Sequence, residues 1–489
     1  MVTSTRSDVA LLYRRAGFGL RPAELDRISA GGYEAAVEQL IAGLGAAPDP
    51  GGDRLGPPRF TAGPFRPPGT AAPAAGTAAP AAGTAAPAAG TTAPAAGGRV
   101  AAVVAHNRAV ARDLAGLQDW WMDRMIATST PLREKLTLFW HGHFATGIPK
   151  VRDARLMYIQ NQLFRTVGAG SFEGLTQAVA KDGAMMLWLD TSTDKKSHPN
   201  ENFAREMMEL FTLGIGNYTQ ADVTAGARGF TGWVYERSAY RYLFRPSQHD
   251  YGTKTYLAQT GDWNGEDVVH IAVTRPESAR FVLARLWSHF AYPVQPSDRV
   301  VADLLPAYGP GMDITGALRA LFLHPAFRSP ASRGGLVKQP AEYLAGAARS
   351  LGLDATGARS PAATGGSGPS GPGTGVAGPS RSSRSLARMA AGLGQTLFDP
   401  PNVGGWGQNG YWLTTATSYL RLEIALALAH QGDLSPLAGL PTGQRITGVA
   451  TLLGVDSWGP TTSAALARVA SEPVALTALA LTAPEYVLA

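Results

Sequence analysis

Cysteine is absent from all 489 residues. The chain therefore has no disulfide, no thiolate metal site and no cysteine nucleophile, and its composition marks no redox compartment. Charge is sparse too, at 16% of residues with a formal net charge of +6. The basic residues are scattered singly and form no stripe, so no nucleic-acid partner is expected. No run approaches the roughly 18 apolar residues of a membrane span, so no transmembrane segment is expected. The opening MVTSTRSDVALLYRRAGFGL lacks the apolar centre of a signal peptide, which makes a cytoplasmic location the default expectation. Also missing are a glycine-rich phosphate loop opening a helix, a His-Glu-x-x-His zinc motif, a Gly-x-Ser-x-Gly elbow and an EF-hand loop. Their absence disfavours nucleotide-binding, zincin and serine-hydrolase readings.

What is present is mostly helical pattern, broken by two low-complexity stretches. Residues 69–98 carry a seven-residue GTAAPAA repeat, whose regular proline forbids a continuous helix and whose small residues supply no core. Residues 354–385 read as a flexible Gly/Ser/Pro insert by the same reasoning. They divide the chain into an N-terminal helical part (1–68), a central helical core (99–353) and a C-terminal helical part packing on that core (386–489). Apolar residues recur at helical spacing over 103–127, where Leu114, Leu117, Trp121 and Met125 fall in step. Thr130 and Pro131 predict the start of a helix over 131–145. Similar patterns cover about 152–167, 171–181, 200–213, 220–229, 276–290, 313–323, 338–350, 384–393 and 413–430. Between 233 and 258 alternating Tyr, Leu and Phe around turn residues predict a small antiparallel excursion. The expected fold is mainly α, a multi-helical bundle-like fold with a small antiparallel β-hairpin excursion.

Four segments concentrate chemistry. In HPNENFAREMMELFTLG (198–214) a helical wheel gathers Phe203, Ala204, Met207, Met208, Leu210 and Phe211 in one apolar arc. Asn202, Glu206 and Glu209 fall in a separate band of roughly 60° that aims several oxygens at one point, as a divalent metal or cationic ligand requires. The same segment also reads as a solvated face, with Glu201–Arg205 and Arg205–Glu209 as four-residue pairs and Asn200 as a cap. In WHGHF (140–144) two histidines two residues apart lie on different sides of a helix, so one at most, His143 by preference, serves a metal or acid–base site. A histidine bonded inside a helix interface is the alternative. In HDYGTK (249–254) His249 and Asp250 can act as a ligand with its orienting carboxylate or as an acid–base pair, and Lys254 can act as a point charge toward an anion. Turn chemistry is the other reading. In the loop 398–421, Asn402 and Trp406, with Tyr411 and Trp412, offer a polar and aromatic surface for a sugar-like ligand, or a lid packed on helices.

The blocks LLYRRAGFGL, REKLTLFWHGHF, PNENFAREMMELFTLGIGNYTQADVTAGARGFTGW, HDYGTK and FDPPNVGGWGQNGYW occur in an order that resembles the bacterial domain-of-unknown-function family 1800. The resemblance runs from about residue 8 to 430 and onward to the end. It implies a largely helical protein of a family that is often exported and whose genes often lie beside those of family 1501, which resembles alkaline phosphatases and sulfatases. Its hallmark positions are His143, Asn200, Glu201, Asn202, Arg205, Glu206, Glu209, Asp222, Arg228, Trp233, His249, Asp250, Lys254, Asn402 and Trp406. Two functional expectations follow. One is a hydrolase-like enzyme acting on an envelope polymer or glycan, with His143, Glu206, Glu209, His249 and Asp250 catalytic. In it Asn202, Arg205, Arg228, Lys254, Asn402 and Trp406 bind substrate, and a divalent metal sits on Glu206, Glu209 and His143. The other is a non-catalytic binding or assembly partner of a family-1501 protein.

Overall fold

A computed structural model describes residues 2–45, 48–63, 96–354 and 385–488. Residues 69–95 of the expected spacer and 355–384 of the expected insert lie outside them. The fold is mainly helical, with two small antiparallel two-stranded sheets. Helices Pro131–His143, Ala154–Val167, Phe172–Ala180, Gln220–Phe230, Pro276–Phe290, Ile314–Leu323, Pro340–Leu351 and Thr415–Gln431 lie where apolar periodicity puts them. Helix Ala96–Ala127 begins inside the expected spacer. Pro131 holds the first position of its helix, but the Thr130 side chain makes no capping bond. Helices Gly265–Val273 and Arg299–Tyr308 lie outside the stretches where helical spacing is expected. The second contains Pro306, a residue that argues against a helix interior.

One apolar core draws on every segment, from Val9 through Trp121, Phe144, Trp233 and Tyr343 to Val487. Helix Pro340–Leu351 packs on Ala96–Ala127, Leu386–Gly392 and Thr415–Gln431, and Thr415–Gln431 packs on Pro473–Thr482. The β excursion is two ribbons. Strand β1 (Trp233–Glu236) pairs with β2 (Arg241–Phe244), Trp233 opposite Phe244, and β3 (Lys254–Tyr256) pairs with β4 (Gln259–Gly261).

The largest departure from expectation lies within 200–213. The α-helix runs only over Glu201–Glu206, and Met207–Thr212 is a π-helix. The Thr212 hydroxyl donates to the Met207 carbonyl at 2.6 Å, five residues back, and Leu213 and Gly214 both donate their N–H to Met208. Such wide turns are rare in helices and recur at functional sites. Beyond Met207 the wheel drawn with 3.6 residues per turn no longer holds.

Candidate functional site

The two histidines of the 131–143 helix are interior residues. His141 meets the Asn161 amide at 3.1 Å and packs against Trp121, Phe164 and Phe398. Burial, with Arg165 nearby, lowers its pKa to about 3. His143 is 1% exposed and ringed by Phe139, Trp140, Phe144 and Phe211. Its Nε2 lies 2.8 Å from the Phe211 carbonyl, which accepts, so Nε2 carries the proton. Nδ1 has no hydrogen-bond partner among the described residues. Burial, then the Arg285 charge, push its pKa well below the usual imidazole value, so the ring is neutral. This histidine pins the π-helix to helix Pro131–His143.

On the outside of that π-helix the polar residues divide. Asn200 caps the helix, accepting the Asn202 N–H at 2.9 Å, while its own N–H donates to Asp194. Asn202 is exposed, its amide 3.5 Å from Asp190, which also pairs with Lys150 at 2.7 Å. Glu201 accepts from Arg205 at 3.1 Å, Gln220 at 2.9 Å and Thr224 at 2.8 Å, and the Gln220 and Thr224 bonds lead in lowering its pKa. Glu206 and Glu209 are half-buried. Burial and then the Glu209 charge raise the Glu206 pKa, and the Tyr218 hydroxyl donates to Glu209. Burial first, and the Glu209 bond second, push that phenol up to about 12.

The expected metal set is not assembled. Among the described residues no group of three or more His, Asp or Glu side chains is placed to hold a metal ion. His143 already gives Nε2 to a carbonyl inside an aromatic shell, whereas Glu206 and Glu209 lie in a half-exposed band with Tyr218.

The HDYGTK segment forms a brace. His249 is 2% exposed, its Nδ1 2.8 Å from the Thr231 carbonyl. Asp250 receives both arms of Arg228, at 2.7 and 3.2 Å, together with the Gly252 N–H, and Arg228 in turn bonds Thr253. The Arg228 bond leads the causes that hold Asp250 down to about 2. Lys254, fully buried, donates to the Asp250 carbonyl at 2.6 Å and pairs with Asp262 at 3.2 Å. Asp222 completes a capping box with Thr219 and accepts the Leu257 N–H, and Trp233 is wholly buried.

In the 398–412 loop, Asn402 accepts the Gly404 N–H at 2.8 Å, a local turn bond. Gly405 has φ +87, and a Cβ there would stand 2.0 Å from the Gly142 carbonyl, so only glycine lets the loop touch the WHGHF helix. Trp406 lies beside Gly142, 3.6 Å from the place of a Cβ on it. The loop is thus docked as a lid. At its end and just beyond it Tyr411, Leu413, Tyr419, Leu422 and Leu426 are exposed.

A groove of about 920 Å³ is lined by Trp120, Arg124, Tyr158, Arg165 and Arg319 among others, and none of the candidate residues lines it. Arg124 and Arg165 both bind Glu134, which is wholly buried, at 3.0 and 2.7 Å. Burial pushes Glu134 up, but the two arginines outweigh it and its pKa falls. Sequence reasoning missed this network. Its trace was the charged triplet Arg133, Glu134 and Lys135 inside the helical run PLREKLTLFW. Asp194, under the Asn200 cap, was missed as well, and burial raises its pKa to about 7.

The family model described as "Protein of unknown function (DUF1800)" matches residues 11–488. No curated protein and no solved structure matches the chain.

Proposed function

The chain belongs to the DUF1800 family, and we propose that it is a binding and assembly module whose partner is a family-1501 protein of the alkaline phosphatase and sulfatase type. The observation that carries this reading is the exposed apolar row on helix Thr415–Gln431. Tyr419, Leu422 and Leu426, at steps of three and four residues, share one side and are 66%, 41% and 40% exposed. Tyr411 and Leu413 extend the row onto the preceding loop at 51% and 46%. The opposite side, with Ile424, Ala425 and Leu428, is buried. A helix that is apolar on both sides presents one of them to something else, and such patches mark interaction surfaces. The hallmark residues Arg228, His249, Asp250 and Lys254 bond mainly to one another and to nearby backbone, which suits a rigid scaffold. Co-expression with a family-1501 protein should yield a complex that Leu422→Asp and Leu426→Asp each disrupt while thermal unfolding stays unchanged. A complex that survives both substitutions would exclude this surface.

One observation favours the hydrolase-like reading on an envelope glycan. Glu206, its pKa raised by burial and then by the Glu209 charge, stands near Glu209 and Tyr218, and a carboxyl shifted upward beside a second carboxyl is a setting that general acid catalysis uses. Release of soluble sugar from isolated envelope glycan by the wild type, lost in Glu206→Gln, is the result that reading requires.

A further inference from the structure

Arg14 and Arg15 end the helix Val2–Arg15, and both side chains run inward. Arg15 is 1% exposed; its Nη2 donates to the Ser332 carbonyl, while Nε and Nη1 have no hydrogen-bond partner among the described residues. Arg14 donates to the Gly454 carbonyl and stands 3.8 Å from Asp456, and its Nε is likewise unpartnered among the described residues. Two lysines join them. Lys135, 2% exposed, pairs with Glu342 at 2.7 Å, and the Lys338 ammonium lies 3.5 Å from the centre of the Tyr486 ring.

The charges do not balance. Glu342 is buried, but Asp456 is a third exposed and is shared with Arg333 at 3.2 Å. Arg14, Arg15 and Lys135 therefore surround one buried carboxylate, with the Lys338 amine beside them, and buried charge without a partner is unfavourable. Burial, and after it the charges of Arg14 and Lys135, hold Lys338 well below the ordinary lysine value. A cavity opens between these groups, lined by Arg14, Arg15, Lys135, His289 and Glu342, and a second lies beside Lys338 and Tyr486. Each has about 20 Å³ for the centre of a water-sized particle, which is room for one.

We propose that the cavity between Arg14, Arg15 and Lys135 is a binding site for one small inorganic anion of halide size, chloride above all. The unused N–H groups of Arg14 and Arg15 are its donors, and the space excludes a phosphate or a metabolite carboxylate. The ion ties the first helix to segments near Ser332, Glu342 and Gly454 that are more than 300 residues away in sequence. The proposal does not rest on the docking reading, although Asn409 and Trp412, neighbours of Tyr411 and Leu413, also line the cavity.

The test is thermal unfolding of the full chain in sodium chloride against sodium gluconate at equal ionic strength, together with anomalous diffraction from bromide-soaked crystals. Chloride should raise Tm saturably by about 2 °C over gluconate, and Arg15→Gln should abolish the difference. Bromide should give an anomalous peak within hydrogen-bonding distance of Arg15 Nη1 or Nε. Coincident Tm values in the two salts, or a bromide map with no peak between Arg14 and Arg15, would overturn the proposal. If Arg15→Gln does not fold, the wild-type salt series and the bromide map decide.

Discussion

His143→Phe separates a structural histidine from a catalytic or metal-binding one. Phenylalanine fits an aromatic shell that already contains Phe139, Phe144 and Phe211, so its main effect is to leave the Phe211 carbonyl buried without its donor. That loss costs about 1–3 kcal/mol at pH 7.5. A second effect has the opposite sign. His143 is neutral in the folded protein, with its pKa well below the ordinary 6.5, whereas in the unfolded chain it takes up a proton below 6.5. The unfolded state then binds more protons, and wild-type stability falls as pH drops below 6.5 by about 1.4 kcal/mol per pH unit for this residue. The variant lacks that liability. Urea unfolding at pH 7.5 and pH 5.0 should show the variant less stable at the higher pH, and its deficit reduced by about 2 kcal/mol at the lower. A deficit that is the same at both pH values would refute the placement of a neutral, buried His143.

Glu134→Gln removes the only carboxylate from Arg165 among the described residues, and breaking such a buried pair should cost about 3–5 kcal/mol in urea unfolding. Asp250→Asn should cost about 1 kcal/mol at neutral pH, because solvent screens this partly exposed pair. Asp250 has its pKa lowered in the fold, so its contribution is full above about pH 4 and is lost as pH falls toward 2; the variant's deficit should vanish over the same range. Gly405→Ala places a methyl group against the Gly142 carbonyl and should release the loop, read as a red shift in tryptophan fluorescence and faster proteolysis between 398 and 412.

Much of the helical framework is legible in the sequence, because apolar spacing in stretches such as 131–143 and 276–290 is local. The site is less legible because its bonds are not. Arg228 finds Asp250 across 22 residues and His143 finds the Phe211 carbonyl across 68, and neither distance leaves a periodic trace. The wheel through Glu206 and Glu209 assumes 3.6 residues per turn, and the Thr212 hydroxyl bond to Met207 breaks that assumption within the block it was meant to resolve. Asn200 as a cap and His143 as an interface histidine were both readable as alternatives, since capping and burial follow from residue type and neighbours. The row at Tyr419, Leu422 and Leu426 was hidden for another reason. Helix Thr415–Gln431 is apolar on two sides, and composition does not say which side the core takes.

The docking account depends most directly on affinity. Calorimetric titration of a family-1501 partner with the wild type and with the double variant Leu422→Asp, Leu426→Asp should give a Kd at least about 100-fold weaker for the variant, since two leucines that contribute about 1.5 kcal/mol or more each are replaced by charge. An unchanged Kd in a variant with unchanged Tm would contradict it.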